Sequence, residues 1–544
     1  MAPPQEGLTL AESTRRSFVR TTGLSALGLA ATRTLNGLVS AQSSTDTMAR
    51  VIIDPRRVVA SLDRRLLGSF LEHLGRAIYG GIFEPGSALA DQNGFRRDVL
   101  NEIRTMQVPI VRYPGGNFVS GYDWLDGVGP RTSRPAILDR AWNSLETNQF
   151  GTNEFLTWCR AVGTEPLLGL NFGTGTAEKA AAFVEYCNVA SGTKWSELRR
   201  THGIEQPWNV KRFCLGNEMD GPWQIGHMTA LEYGRKAADA ARQMRAVDPS
   251  LQLVACGSSG PGMATYLDWD RVVLEECYDQ VDGISLHRYF GLNSDVVKDD
   301  ARFLASNLEM ERQIEDVIAV SDYVRGRRKS SKRLWLSFDE WNVWYRQTGG
   351  NGRGQPAPRL LEEVYDLRDA LVVGGALNSL LRHADRVRIA CLAQLVNVIA
   401  PLVTDSTRVI RQTICYPYSW ALAFAKGQVL DLSTDVQSYE LQAVGRIPFV
   451  DVAGTVDSIT GDIALFVLNR DLERPRELKV SWRDGAPGRV ADAQVLTGPD
   501  LKAVNTLNAP STVIPRVLER PRVAADMTFE IPARSYSVIR LSTR

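Results

Sequence analysis

The chain has 544 residues, 44% of them apolar and 23% charged, with a formal net charge of +1. That length accommodates one large domain and a smaller one with ample core material. The balanced charge excludes a dedicated nucleic-acid or polyanion surface. Beyond residue 45 no run is apolar over the roughly 18 residues that a membrane span needs.

In chain order, the first 45 residues stand apart. Thr14-Arg15-Arg16-Ser17-Phe18-Val19-Arg20 resembles a twin-arginine export signature, an apolar run follows from Leu24 to Ala31, and Val39-Ser40-Ala41 offers small residues for cleavage. Residues 1–45 are therefore set aside as a signal or disordered segment, and a secreted protein is the expectation. Residues 48–63 read as strands. From residue 65 to 410 a unit repeats eight times: a short apolar run, polar residues at its end, then a helix-like segment. The runs begin near 66, 109, 165, 210, 251, 281, 333 and 387. Apolar strands alternating with helices predict a parallel sheet covered on both faces, and eight units fit a (β/α)8 barrel. The competing open doubly wound sheet would carry a glycine-rich first turn; the only such turn, Gly173-Thr174-Gly175-Thr176, lacks the third glycine and the phosphate-loop lysine. From 411 to 544 alternating strands separated by Gly, Pro and Asp, with no convincing amphipathic helix, predict an antiparallel β-sandwich that residues 48–63 join.

Seven cysteines, at 159, 187, 214, 256, 277, 391 and 415, form no CxxC pair, and most lie in apolar runs. They read as small core residues rather than a disulfide framework.

In such a barrel the chemistry sits at the C-terminal ends of the strands. Those ends carry Glu72-His73, Arg112 with Asn117, Asn171, Asn217-Glu218, His287 with Tyr289, Asp339-Glu340 and Gln394. Seven of eight ends bear an acid, amide, His or Arg, which packing alone does not need. Strands four and seven oppose each other across the mouth, so Glu218 and Glu340 can face one another over a sugar. Two carboxylates so placed are the machinery of a retaining glycosidase, one attacking carbon and the other moving protons. Asp339, next to Glu340 on a strand, is expected to point the opposite way. The histidines at 73, 202, 227, 287 and 383 show no metal-ligand spacing.

Six ordered motifs then resemble one family. FLEHLGRAIYGGIFEPG, VRYPGGNFVSGYDW, LGNEMDGPWQIGH, SLHRYFG, FDEWNVWY and ACLAQLVNVIAP match the pattern of glycoside hydrolase family 51 α-L-arabinofuranosidases across residues 49–544. The resemblance implies Glu218 as acid/base and Glu340 as nucleophile. It implies that Glu72, Arg112, Asn117, Asn217, Tyr289 and Gln394 bind the furanose or orient the nucleophile. Trp344 would line the entrance, and His287 would stand near the nucleophile. It further implies no cofactor, an arabinose-containing oligo- or polysaccharide substrate and a homo-oligomer, often a hexamer. Another retaining barrel glycosidase, or a non-catalytic carbohydrate-binding protein, are the rival readings.

Overall fold

A computed structural model describes residues 48–345, 352–442 and 444–543. Eight parallel strands close into a barrel in sequence order: Gly68–Phe70, Ile110–Tyr113, Glu165–Gly169, Arg212–Leu215, Gln252–Ala255, Gly283–Phe290, Trp335–Val343 and Val387–Ala393. The eighth returns to the first, Cys391 opposite Gly68 and Ala393 opposite Phe70. Several strands are only three to five residues long and bury nearly every side chain, as expected where helices cover the outside and side chains fill the inside.

The covering helices follow their local signals. Ala230–Val247 starts at Thr229, whose hydroxyl accepts from the Glu232 N–H while the Glu232 carboxylate accepts from the Thr229 N–H. Its inner stripe of Tyr233, Ala237, Ala240, Ala241 and Met244 is buried. Leu367–Arg382 is buried almost all round because barrel strands lie on one side and the sandwich on the other. At its Gly374 an added Cβ would stand 2.5 Å from the Tyr536 ring, so only glycine permits that close approach.

The C-terminal region packs a four-stranded sheet on a seven-stranded one. The first contains Met48–Ile53, Arg476–Trp482 and Asp526–Ile531; the second contains Val58–Ser61, Val450–Val456, Ile463–Asn469 and Ser535–Ser542. Inward residues such as Val51, Leu465, Val480, Phe529 and Ile539 form its core. The (β/α)8 barrel with a C-terminal β-sandwich is thus the architecture. Two details differ from the sequence reading. Met48–Ile53 pairs with Arg476–Trp482 in parallel, so the sandwich is not wholly antiparallel. Cys415–Phe424 is a helix where only strands were expected. Its sequence CYPYSWALAF is apolar on nearly every face, so it shows no amphipathic stripe. All seven cysteines are buried and unpaired.

Candidate active site

Strand four ends in a tight turn. Gly216 has φ 104° and Glu218 itself has φ 44°, a left-handed conformation that costs a non-glycine residue about 1–3 kcal/mol and gathers at functional sites. The turn directs the Glu218 carboxylate into the mouth, where its side chain is 11% exposed. Trp223 Nε1 donates to Glu218 Oε2 at 2.8 Å, and His287 Nδ1 lies 2.9 Å from Oε1.

Strand seven contains the second acid. Against strand six its register runs from Ser285 opposite Ser337 to His287 opposite Glu340, so strand seven contains one extra residue. That bulge corrects the expectation for Asp339. Instead of pointing away from Glu340, Asp339 turns to the same histidine: its Oδ1 is 2.9 Å from His287 Nε2, while Glu340 Oε2 is 3.7 Å from Nδ1. Arg112 Nη1 donates to Glu340 Oε2 at 2.8 Å and Tyr289 OH to Oε1 at 2.6 Å. One carboxylate oxygen each of Glu218 and Glu340 and a ring nitrogen of His287 all fall within 4.8 Å of one another.

Charge is crowded here, and protonation follows. Burial raises the Glu218 pKa and the Glu340 charge adds to this, against the hydrogen bond from His287. Burial by itself would depress His287, but the charge of Glu340 and hydrogen bonds to Asp339 and Glu218 push it up to about 10. It is therefore an imidazolium donating from both ring nitrogens. For Asp339 the burial cost is outweighed by Arg112 and His287, which hold it below the usual carboxylate range. Glu72 behaves oppositely: burial, then the Glu340 charge, raise it to about 8. Its Oε1 accepts from Phe118 N–H at 2.8 Å and Trp142 Nε1 at 2.9 Å, and its own N–H donates to Gln394 Oε1 at 3.0 Å.

Glu72, Asn117, Glu218, His287, Tyr289, Glu340, Trp344 and Gln394 line one cavity of about 770 Å³. Trp344 meets the Tyr289 ring edge-on at 5.0 Å between centroids. Arg112 and Asn217, each 1% exposed, lie below that lining. Arg112 Nη2 donates to Asn217 Oδ1 at 2.7 Å, so both act on the site from beneath. Asn171 does not join: it lines a separate cavity of about 280 Å³ with Trp124 and Lys179. Sequence reasoning missed Asp339 as a partner of His287. The indole N–H groups of Trp142 and Trp223 hold Glu72 and Glu218.

A barrel whose mouth sets two carboxylates, Glu218 and Glu340, close together in one cavity defines a sugar-cleaving hydrolase. Comparison with known proteins supplies the family. Residues 102–307 match the model of the "Alpha-L-arabinofuranosidase 1 domain" and residues 339–535 that of the "Alpha-L-arabinofuranosidase C-terminal domain". An intracellular exo-α-(1→5)-L-arabinofuranosidase 1 of Bacillus subtilis is 45% identical, covering 91% of this chain and 99% of its own. An exo-α-(1→6)-L-arabinofuranosidase of Bifidobacterium longum is 45% identical, covering 86% and 91%. The solved structure of a family 51 α-L-arabinofuranosidase from Bifidobacterium longum aligns with a TM-score of 0.87 at 39% identity, covering 91% and 99%. The chain belongs to glycoside hydrolase family 51, as an enzyme acting on α-L-arabinofuranosides. The expectation of export is overturned: the Bacillus relative and others at 40–47% identity are named intracellular. The residues behind that expectation, 1–45, lie outside those described.

Proposed function

We propose that the chain is a retaining, exo-acting α-L-arabinofuranosidase that removes terminal arabinofuranosyl groups by double displacement. The observation that carries this reading is the close pair of unlike carboxyls: oxygens of Glu218 and Glu340 within 4.8 Å, one raised in pKa, the other receiving Arg112 and Tyr289. Retaining enzymes hold the two groups about 5–5.5 Å apart, whereas inverting ones leave about 6.5–9.5 Å for a water. In the first step a Glu340 oxygen attacks the anomeric carbon, and the Glu218 proton passes to the departing glycosidic oxygen. Esterification removes the Glu340 charge and with it one cause of Glu218's raised pKa. Glu218 then accepts a proton from water, whose oxygen attacks the anomeric carbon and frees Glu340.

In this scheme Arg112, seated on Asn217, and Tyr289 orient Glu340. His287, held by Asp339, orients Glu218. Glu72, Asn117 and Gln394 bind the furanose, with Trp344 at the entrance. The relatives' names point to α-(1→5)- or α-(1→6)-linked arabinofuranosyl groups, and the substrates would be arabinan, arabinoxylan or their oligosaccharides. The homo-oligomer implied by the resemblance is tested by light scattering, and the mass of a single chain would end it. For the mechanism, Glu340→Ala should lower turnover of an aryl arabinofuranoside by about 10⁴-fold or more. Azide should restore it, giving the inverted glycosyl azide. Near-normal turnover without azide would refute the nucleophile role.

A further inference from the structure

Glu72 is followed in the chain by a second polar residue, His73, whose side chain is 1% exposed. The His73 Nδ1 lies 2.7 Å from Glu146 Oε2, and its Nε2 lies 2.7 Å from the Tyr113 hydroxyl. Glu146 Oε1 accepts from the Tyr79 hydroxyl and from the Asn148 N–H, each at 2.5 Å. Burial by itself would raise the Glu146 pKa, but His73, Tyr79 and Asn148 hold it below the ordinary glutamate range. A carboxylate is kept in such a place only where partners satisfy it, and here both oxygens have them.

Glu146 belongs to a hairpin with strands Ile137–Leu138 and Leu145–Glu146, two residues each. A two-stranded hairpin is marginal unless its side chains are buried against something. Here the usual burial is inverted. Leu138 is 55% exposed, Ile137 and Leu145 are half-buried, and of the four paired residues only Glu146 is buried. Backbone bonds from Leu145 to Gln355 and from Gly354 to Asn143 pin the hairpin's edge, while Glu146 is the anchor that reaches into the interior. The tip carries Trp142, whose Nε1 donates to Glu72 Oε1 at 2.9 Å. The same oxygen accepts from the Phe118 N–H at 2.8 Å, and the Phe118 ring stacks on His73 with centroids 4.7 Å apart. Both donors to Glu72 Oε1 are thus seated on the Glu146–His73 pair, one through the hairpin and one through the ring.

We propose that Glu146, paired with His73, is a positioning residue for the reaction: it anchors the 137–146 hairpin so that Trp142 holds Glu72 in its furanose-binding place. Glu146 acts through Trp142 rather than on the sugar. The proposal rests on Glu72 being a group that binds the furanose.

The test is a double-mutant cycle on the full chain, with kcat and KM measured on an aryl arabinofuranoside. Glu146→Ala and Trp142→Phe should each lower kcat/KM about tenfold, mainly by raising KM, and the double variant should lie within about twofold of the weaker single. Glu146→Gln, which keeps an acceptor for Tyr79 and Asn148, should recover most of the loss. Tyr79→Phe removes one hydroxyl from Glu146; it should raise KM about threefold, but not in the Trp142→Phe background. That pair decides the matter if Glu146→Ala does not fold. Losses that multiply in the double variant, or a fall in kcat at unchanged KM, are what a merely structural role gives and would overturn the proposal, as would a native KM in Trp142→Phe. Glu72→Gln with native kcat/KM would instead sink the furanose-binding reading of Glu72, and the proposal with it.

Discussion

At the seam between helix Leu367–Arg382 and the sandwich, Asp451 accepts from Arg382 at 2.8 Å, Arg470 at 2.7 Å and Asn378 at 2.9 Å. Glu311 takes a second contact from Arg382 at 3.0 Å. Two acids meet two guanidiniums, and although burial opposes it, Arg382 and Arg470 hold the Asp451 pKa far down. At the barrel mouth, among the described residues, Glu218, Asp339 and Glu340 meet two cationic side chains, Arg112 and His287, and Glu72 accepts from neutral N–H groups. There Glu72 and Glu218 are pushed up instead. Both regions bury charge. The seam balances it, which leaves one protonation state and one packing. The mouth leaves it negative in excess, so that protons stay on acids and can be given to a substrate.

Four experiments would break or sharpen this contrast, from the largest expected effect to the smallest. Glu218→Ala should cut turnover of arabino-oligosaccharides by about 10²–10⁴-fold, with a much smaller loss on aryl glycosides whose leaving groups need no proton. Equal losses on both would remove Glu218 as the acid. Asp451→Ala leaves the buried Arg470 guanidinium without an acid and Arg382 with Glu311 alone, and should cost about 3–5 kcal/mol in denaturant unfolding. Activity per folded molecule should hold, and a specific loss of turnover would show the two regions to be coupled.

Glu72→Gln should act in the reverse sense. With a folded pKa of about 8 against an ordinary 4.5, the folded state binds the extra proton between those values. Stability therefore falls as pH rises through that window. Glutamine should flatten the slope and gain about 1–2 kcal/mol at the alkaline end, while kcat/KM drops by about 1–3 kcal/mol equivalent. Unchanged stability across pH 5–9, measured by thermal unfolding, would count against the strain assigned to the mouth. Trp223→Phe should cost least, about 0.5–1.5 kcal/mol in kcat/KM. Its N–H favours ionised Glu218, so its removal should move the alkaline limb of the pH profile upward; a downward move would contradict that hydrogen bond.

Much of this protein was readable in the chain because the controlling patterns are local. Eight apolar runs alternating with helical segments specify a barrel, and polar residues that end those runs, Glu72, Glu218, His287 and Glu340 among them, arrive at one rim by geometry alone. Even the family lies in contiguous motifs. The N-terminal segment shows the weakness of such reading: a twin-arginine-like run is a matter of composition, and the relatives' intracellular names overturned the export drawn from it. Other features required partners distant in sequence. The bulge that turns Asp339 to His287 depends on register against strand six. The roles of Trp142 and Trp223 depend on which acid their N–H groups meet, and the helix Cys415–Phe424 hides its period because it is buried on nearly all sides. Periodicity is encoded residue by residue, so the sequence alone determined the barrel and the positions of its acids. Register, burial and charge balance are sums over the whole packed molecule, and only the tertiary structure decided which acid keeps its proton.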